Sequence, residues 1–326
     1  MGREKGDRGN VPVRQHTVEA ALARHILSMS LSALALVLLS AALHATWNFL
    51  LKRAGGTQEV VALSKVAEAV LFAPIFVFGF LTSLPDAATT LWYSGVAATG
   101  VAATYVSLAH AYRHGDLSLV YPIARGAILV FLPLAGRIAL GEHISPLGAA
   151  GLGAIVLGIL ALNLADFSRR SVSGVWRSMS GRATAFAILA GLVSAVFTVW
   201  DKRAIARLEP FAYMYLYTLF VGIGYAVWLR TRVPADLVRT TWRAARVSIV
   251  VIGLMNTTSY LLALLAMRTE VTSYVLGMRQ LSIAGGVALG WRFLREPLPP
   301  PRVTGVAMII AGCLLLTLAS IRTHTT

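Results

Sequence analysis

Residues 140–162, LGEHISPLGAAGLGAIVLGILAL, and residues 294–318, LREPLPPPRVTGVAMIIAGCLLLTL, follow one pattern. Each segment carries a glutamate at a short turn that contains serine or proline, and the turn leads into an apolar run with glycine. Such a run is typical of a buried or membrane-crossing helix. The recurrence of this pattern in both halves of the chain indicates an internal duplication.

The similarity between the two halves extends well upstream of these segments. The matched positions are Tyr105 with Tyr260, Ala111 with Ala266, Arg113 with Arg268, Arg125 with Arg279, Gly136 with Gly290, Glu142 with Glu296, Pro146 with Pro300, Gly151 with Gly305, and Gly158 with Gly312. Lys52–Arg53–Ala54 also recurs as Lys202–Arg203–Ala204. Apolar residues match by chance in such segments, whereas shared charged, glycine and proline positions do not. We therefore expect the two halves to share one fold.

The composition of the chain is that of an integral membrane protein. Of its 326 residues, 57% are hydrophobic and only 13% are charged, and the mean hydropathy is +0.71. A soluble protein usually has about 25% charged residues. The net charge of +15 would favour nucleic acid in a soluble protein. Here most basic residues lie between apolar runs, where they contact lipid headgroups, so we expect membrane lipids and no nucleic acid as partners.

Ten apolar runs are long enough to cross a bilayer as helices. They are 28–51, 60–81, 88–110, 118–139, 147–165, 183–202, 211–230, 246–267, 271–293 and 303–321. A helix needs about 20 residues to cross the hydrocarbon, and inside lipid its backbone polar groups must be satisfied within the segment. Alternating strands of about ten residues, as in a membrane barrel, are not apparent. The sequence therefore predicts an all-α integral membrane protein with about ten transmembrane helices.

The ten runs divide into two sets of five, which determines the predicted topology. An odd number of crossings places the two copies in opposite senses across the membrane, as in inverted-repeat transporters. The predicted boundaries are a flexible basic tail at 1–27, a first repeat at 28–166, an arginine-rich linker at 167–182, a second repeat at 183–321 and a short tail at 322–326.

Four segments together resemble a known family. WNFLLKR at 47–53 and VWDKRAI at 199–205 resemble the end of the first helix of an EamA-like domain, and the two segments quoted at the outset resemble its end. As two tandem copies, the chain after residue 28 resembles the ten-helix drug/metabolite transporter superfamily. The resemblance implies a multi-pass permease that moves a small metabolite by alternating access without ATP hydrolysis, and it fixes no substrate. The arginine-rich, lysine-poor composition indicates a bacterial source, so we expect the protein in the bacterial cytoplasmic membrane.

Arg125 and Arg279 are the first candidates for a substrate site. They lie inside runs 4 and 9 at matched repeat positions, so an inverted repeat relates them by a two-fold axis in the membrane plane. Two guanidiniums near the midplane would attract an anion through planar, bidentate donors. The alternative is that each arginine extends to the interface and bonds loop carbonyls.

Further polar residues inside the runs are candidates for the same pathway. Glu68 either neutralises an arginine or Lys65, or it binds a coupling proton. His44, Trp47 and Asn48 share one arc of run 1, and they either line the cavity between the halves or serve helix packing, with Trp47 at the interface. Tyr105, Asn256 and Tyr260 are further candidates for the substrate pathway.

The sequence gives no sign of a cofactor, a metal site or a catalytic centre. His110 and His114 have the spacing of a metal pair, but no third ligand lies near them in sequence. Cys313 is a single cysteine in an apolar run. A secondary transporter is therefore the leading interpretation. The alternatives are a membrane-embedded enzyme that acts on a lipid-linked substrate, and a sensor or scaffold that transports nothing.

The sequence gives two conflicting indications of orientation. Most basic residues fall on the side opposite the termini, so the positive-inside rule favours termini outside the cell. The family resemblance favours termini inside.

Overall fold

The described part of the chain is helical throughout. The computed structural model describes residues 11–80, 86–114, 117–164, 166–168, 171, 173 and 181–323. The helices in these ranges are α1 (Val11–Arg53), α2 (Gln58–Gly79), α3 (Ala87–His114), α4 (Leu117–Leu140), α5 (Pro146–Ala161), α6 (Arg182–Ile205), α7 (Pro210–Arg232), α8 (Ala235–Met267), α9 (Thr272–Arg279), α10 (Leu281–Leu294) and α11 (Pro300–Thr323). Nine predicted runs each lie mainly on one helix, the ninth in sequence order is divided between α9 and α10, and these ranges contain no strand, so the all-α prediction is confirmed.

The lengths and hydropathies of the helices fit a multi-pass membrane protein. Among the described residues, seven helices are long and apolar enough to cross a bilayer: α1 from Leu31, α2, α4 from Val120, α6, α7, α8 and α11 to Ile321. The fifth helix is apolar but has only 16 residues. At 1.5 Å per residue it spans about 24 Å, somewhat less than the hydrocarbon thickness.

Two helices begin earlier than the sequence predicts. Residues 11–27, which were predicted to belong to a flexible tail, form the first turns of α1. Residues 235–245, which precede the eighth predicted run at 246–267, form the first turns of α8. With 33 residues, α8 is about 50 Å long, so it extends beyond the hydrocarbon. Most of the predicted linker at 167–182, and residues 1–10, lie outside the described residues.

The ninth predicted run is not one helix, because α9 and α10 are separated at Gln280. The backbone N–H of Gln280 donates to Gly277 O (3.0 Å) rather than to Leu276 O. The Gln280 side-chain amide donates to Leu276 O instead (3.0 Å). The helix therefore tightens at this point, and Arg279 becomes the last residue of α9. In the first repeat, α4 continues through Arg125 without such a break.

Glycine contacts show that α5 and α11, the last helices of the two repeats, run antiparallel. A Cβ placed on Gly151 would lie 2.9 Å from Gly312 O, and one on Gly158 would lie 2.7 Å from Gly305 O. As the residue number rises along α5, the facing residue number on α11 therefore falls. These are the matched glycines of the duplication, so the contact is the same from both sides.

The contacts between the other helices follow the same symmetry, in which each helix is replaced by its counterpart in the other repeat. The pair α1 and α8 corresponds to α6 and α3, the pair α1 and α10 corresponds to α6 and α4, and α2 packs on its own counterpart α7. Helices α2 and α7 also run antiparallel, because Tyr215 stacks on Phe76 and Phe211 lies against Phe80. The predicted inverted repeat is therefore present.

The inversion places Lys52 and Lys202 at opposite ends of the bundle. Ser40 bonds Ser259, whereas Trp47, closer to the end of α1, packs near Ile249 at the start of α8's membrane segment. Lys202 bonds Met267 O, at the other end of α8. We call these the Lys52 end, where α1 ends and α2 begins, and the Lys202 end, where α6 ends and α7 begins.

Replacing Gly158 by leucine should destabilise the protein, because the added side chain has no space against Gly305 O. Overpacking costs about 1–3 kcal/mol, and backbone on the facing helix cannot yield as a side chain does. The measurement is the thermal unfolding midpoint of purified protein. Gly153→Leu is the matched control, because a Cβ at Gly153 meets nothing within 4 Å. Equal midpoints for the two variants would contradict the packing described.

Candidate functional site

A cavity of about 210 Å³ lies in the middle of the helix bundle, between the two repeats. Both halves contribute to its walls. The lining residues are Lys65, Glu68, Val101, Thr104, Tyr105, Arg125, Ile128, Ser194, Phe197, Thr198, Met214, Tyr217, Thr218, Asn256, Thr257, Tyr260, Leu276 and Arg279. Six of the nine predicted pathway residues are in this set: Glu68, Tyr105, Arg125, Asn256, Tyr260 and Arg279.

Arg279 lies at the break between α9 and α10 and is only 8% exposed. Its Nη2 lies 3.0 Å from His44 Nδ1 and donates to Ser259 Oγ (3.2 Å), and its guanidinium lies over the Tyr260 ring at 5.2 Å. Its Nε atom is buried and has no hydrogen-bond partner. An unmet donor on a buried cation is costly.

Within the described residues, neither cavity arginine has a carboxylate within the 4.0 Å of an ion pair. Arg125 lies over the ring of Tyr121 at 5.2 Å. A guanidinium cannot lose its charge at ordinary pH, and a buried charge normally requires a partner. The cavity therefore has two uncompensated positive charges, one from each repeat.

The surroundings of the two arginines correspond through the repeat. When Lys52 is aligned with Lys202, His44 corresponds to Ser194. When Tyr105 is aligned with Tyr260, Thr104 corresponds to Ser259. Arg279 contacts His44 and Ser259, whereas Thr104 and Ser194 lie 3.4 Å apart and line the cavity with Arg125. The two arginines therefore lie near polar residues at matched positions of the two repeats.

Glu68 forms an ion pair with Lys65 on the same helix, at 3.0 Å. Asn256 Nδ2 donates to Glu68 Oε1 (2.9 Å), and Thr257 Oγ1 donates to Glu68 Oε2 (3.2 Å). Glu68 is 2% exposed and both of its oxygens are bonded. The charges of Glu68 and Lys65 compensate each other, which leaves the arginines as the net charge of the cavity.

Three predicted pathway residues, His44, Trp47 and Asn48, lie outside the cavity lining. His44 is next to it, because its Nδ1 faces Arg279 and also accepts from Trp47 Nε1 (3.3 Å). Asn48 donates to His44 O within α1 (2.7 Å). The repeat counterparts of Trp47 and Asn48 are Phe197 and Thr198, and both line the cavity. The polar arc therefore faces the cavity in the second copy rather than in the first.

Sequence reasoning missed Asp201, which is fully buried beside the cavity. Tyr213 OH donates to Asp201 Oδ1 (2.5 Å), and Tyr260 OH donates to Asp201 Oδ2. Tyr260 thus contacts both Asp201 and Arg279. A signal was present in the sequence, because Asp201 stands in an apolar run where the first repeat has Leu51.

The Lys202 end of the cavity is closed by bonds between α6 and α8. Lys202 donates to the carbonyls of Met267 and Glu270, and Arg268 donates to Ile205 O (3.2 Å) and Leu208 O (3.1 Å). Across the repeats, Thr272 Oγ1 donates to Glu142 (2.6 Å), and Ser145 N donates to Tyr274 OH (3.0 Å).

The Lys52 end lacks the corresponding bonds among the described residues. Lys52, the counterpart of Lys202, forms an ion pair with Glu296 instead. Arg113, the counterpart of Arg268, is exposed and makes no hydrogen bond within the described ranges. Among the described residues, the two ends of the duplicated bundle are therefore bonded differently.

The two histidines with metal-like spacing bond their own helix. His110 Nδ1 lies 2.9 Å from Val106 O, His114 Nδ1 lies 2.8 Å from His110 O, and both rings lie against Phe186. Over the ranges that the structure describes, no group of three metal-ligating side chains is present.

Replacing Glu68 by glutamine should destabilise the fold, because it leaves the Lys65 charge uncompensated at a site only 17% exposed. Breaking a buried pair costs about 3–5 kcal/mol. The measurement is again the thermal unfolding midpoint. The double variant Lys65→Met/Glu68→Gln should recover most of the loss, since it removes both charges. A double variant no more stable than the single one would show that the ion pair does not explain the effect.

Comparison with known proteins supports the family resemblance. Residues 181–318 match the EamA-like transporter family. A solved structure described as "Crystal structure of protein" has the same fold, with a TM-score of 0.70 at 14% identity over 90% of this chain and 98% of that chain. No curated protein sequence matches the chain. Residues 181–318 in the second half of the chain thus match an EamA-like transporter domain, and the first half repeats the fold of the second in inverted orientation.

Proposed function

We propose that this protein is a multi-pass permease of the drug/metabolite transporter type, and that it moves a small organic anion by alternating access in the cytoplasmic membrane of a bacterium. The substrate binds in the cavity between the repeats, with its acidic group between Arg125 and Arg279. The EamA-like domain supports a transporter over a membrane-embedded enzyme or a scaffold.

The observation that carries this proposal is the pair of cavity arginines without carboxylate partners. Charged residues inside a membrane protein usually line a substrate or ion pathway. Arg279 has an unmet Nε donor at the break of a discontinuous helix, and substrate sites of inverted-repeat transporters are built at such breaks. An arginine fork matches the geometry of a carboxylate or a phosphate.

The contrast between the two ends supports alternating access. An inverted repeat has two equivalent ways to arrange its halves, each with one end closed. Bonds between α6 and α8 close the Lys202 end, while their counterparts α1 and α3 have no such bonds in the described ranges. We infer that this state opens toward the Lys52 end, and that in the other state Lys52 and Arg113 bond the facing helix ends.

Glu68 has a structural role in this mechanism. Its carboxylate is bonded by Lys65, Asn256 and Thr257, so it holds α2 against α8 beside the cavity. This arrangement favours the ion-pair interpretation of Glu68 over that of a coupling-proton site.

Arg279→Gln should lower transport of the substrate about tenfold to a hundredfold, the loss expected for a charge-assisted hydrogen bond. Substrates are first found by thermal shift with a panel of small carboxylates and phosphates, because a ligand stabilises the state it binds. Uptake into proteoliposomes is then measured. Arg292→Gln is the control, since Arg292 is exposed on the neighbouring helix and does not line the cavity. Full transport by Arg279→Gln at wild-type protein level would contradict the proposal.

Arg268→Gln should open the Lys202 end more often, because it removes the bonds to Ile205 O and Leu208 O. A single cysteine at Thr198, in a Cys313→Ser background, reports access to the cavity. Its labelling rate by a membrane-impermeant thiol reagent from the Lys202 side should rise severalfold. Arg137→Gln, which alters an exposed arginine in the last turn of α4, is the control. An unchanged rate in Arg268→Gln would show that these bonds do not close this end.

A further inference from the structure

A second cavity of about 350 Å³ lies between α3 and α7, next to the central one. Ala98, Ala102 and Val106 of α3 form one wall, and residues of α7 form the other, ending at Trp228. Gln58, the first residue of α2, closes it near the Lys52 end. We call this cavity the α3–α7 groove.

The groove and the central cavity meet at Tyr105, which lines both. The Tyr105 ring packs edge-on against Tyr225 of the groove, with ring centroids 6.5 Å apart. The apolar groove therefore adjoins the cationic site at Tyr105.

The two spaces differ in chemistry and complement each other in size. The central cavity has charged and hydroxyl groups, whereas the groove is lined by alanine, valine, glycine and aromatic side chains, with Gln58 as its only amide. Ligand sites usually measure about 300–1,000 Å³ and are mostly apolar, with a few polar groups that fix orientation. The central cavity alone is below this range, and the two together fall within it.

We propose that the groove takes the apolar part of the transported molecule, so that the substrate class is an amphiphilic organic anion, with an acidic head and an alkyl or aryl tail. This inference rests on the proposed function, since the head occupies the site of Arg125 and Arg279. The tail passes Tyr105 and lies between α3 and α7. The charge of the arginines favours an acidic head, and the adjacency of the two spaces at Tyr105 favours a tail attached to that head.

The test uses the full-length protein in lipid nanodiscs and measures binding of butyrate, hexanoate and octanoate by equilibrium dialysis. Empty nanodiscs correct for partition of the acids into lipid. Affinity should rise about fourfold for each added methylene that enters the groove, which is the fold-change equivalent of about 0.8 kcal/mol per buried CH₂. Equal affinity for butyrate and octanoate would overturn the inference.

Gly224 lines the groove, and a Cβ at this position would meet nothing within 4 Å. Gly224→Leu can therefore place its side chain in the groove without a clash. In this variant octanoate should bind no tighter than butyrate. Gly153→Leu is the matched control, also in open space but on α5, and it should keep the dependence on chain length. A dependence that survives Gly224→Leu would overturn the inference.

Ala102→Phe, with Ala103→Phe as its control, gives a second pair with the same expectation, since Ala102 lines the groove and Ala103 does not.

The outcomes separate this inference from the proposed function. One possible result is that Arg279→Gln binds none of the acids, while the wild-type protein binds all three with the same affinity. This result would support the anion site and overturn only the tail site. Failure of all three acids to bind would overturn both. The groove could instead hold a phospholipid chain. In that case a lipid co-purifies with the wild-type protein but not with Gly224→Leu, and the three acids bind with equal affinity. That result also overturns the inference.

Discussion

The close antiparallel contact of α5 with α11 is the constraint on which the rest of the structure depends. Matched glycines let backbone approach backbone, so that any side chain at Gly158 would meet Gly305 O at 2.7 Å. Gly151 faces Gly312 while Gly158 faces Gly305, so the contact is unchanged when the two repeats are exchanged, as a two-fold axis requires. Because each repeat crosses the membrane an odd number of times, that axis lies in the membrane plane. The remaining helix pairs exchange in the same way.

The two-fold axis explains why charge collects at the centre. Arg125 and Arg279 are copies of one ancestral position, and the inversion brings both to the same cavity. Their surroundings have since diverged. One arginine has a histidine and a serine as partners and lies at a helix break, whereas the other lies on a continuous helix over Tyr121. The two arginines therefore carry the same charge at matched positions, whereas the groups around them differ.

Hydrophobic length and duplication were sufficient to predict the fold from the sequence. Run length gave the helices because lipid enforces hydrogen bonding within each segment, and the odd count gave the inversion. The helix break at Gln280 was not predictable, because it depends on a side-chain amide that replaces a backbone donor. The early start of α8 was missed because its first turns are polar, and polar turns outside lipid resemble a loop in sequence.

The site was only partly predictable, for a different reason. Glu68, Arg125 and Arg279 could be found because ionisable groups are conspicuous in an apolar run. The arc of His44, Trp47 and Asn48 does not line the central cavity, and its sequence could not show this, since periodicity shows that residues share a face but not what the face contacts. Asp201 was overlooked because Lys202 and Arg203 beside it made it resemble a helix end, whereas the two tyrosines that bond it are distant in sequence.

The most direct measurement of the central claim is the sidedness of Arg53 and Arg203, exposed residues at matched repeat positions. Each is replaced by cysteine in a Cys313→Ser background, and intact cells and inside-out vesicles are treated with a membrane-impermeant thiol reagent. The inverted repeat predicts that one position is labelled only in cells and the other only in vesicles. Labelling of both positions from the same side would contradict the inversion and, with it, the cavity between two opposed halves.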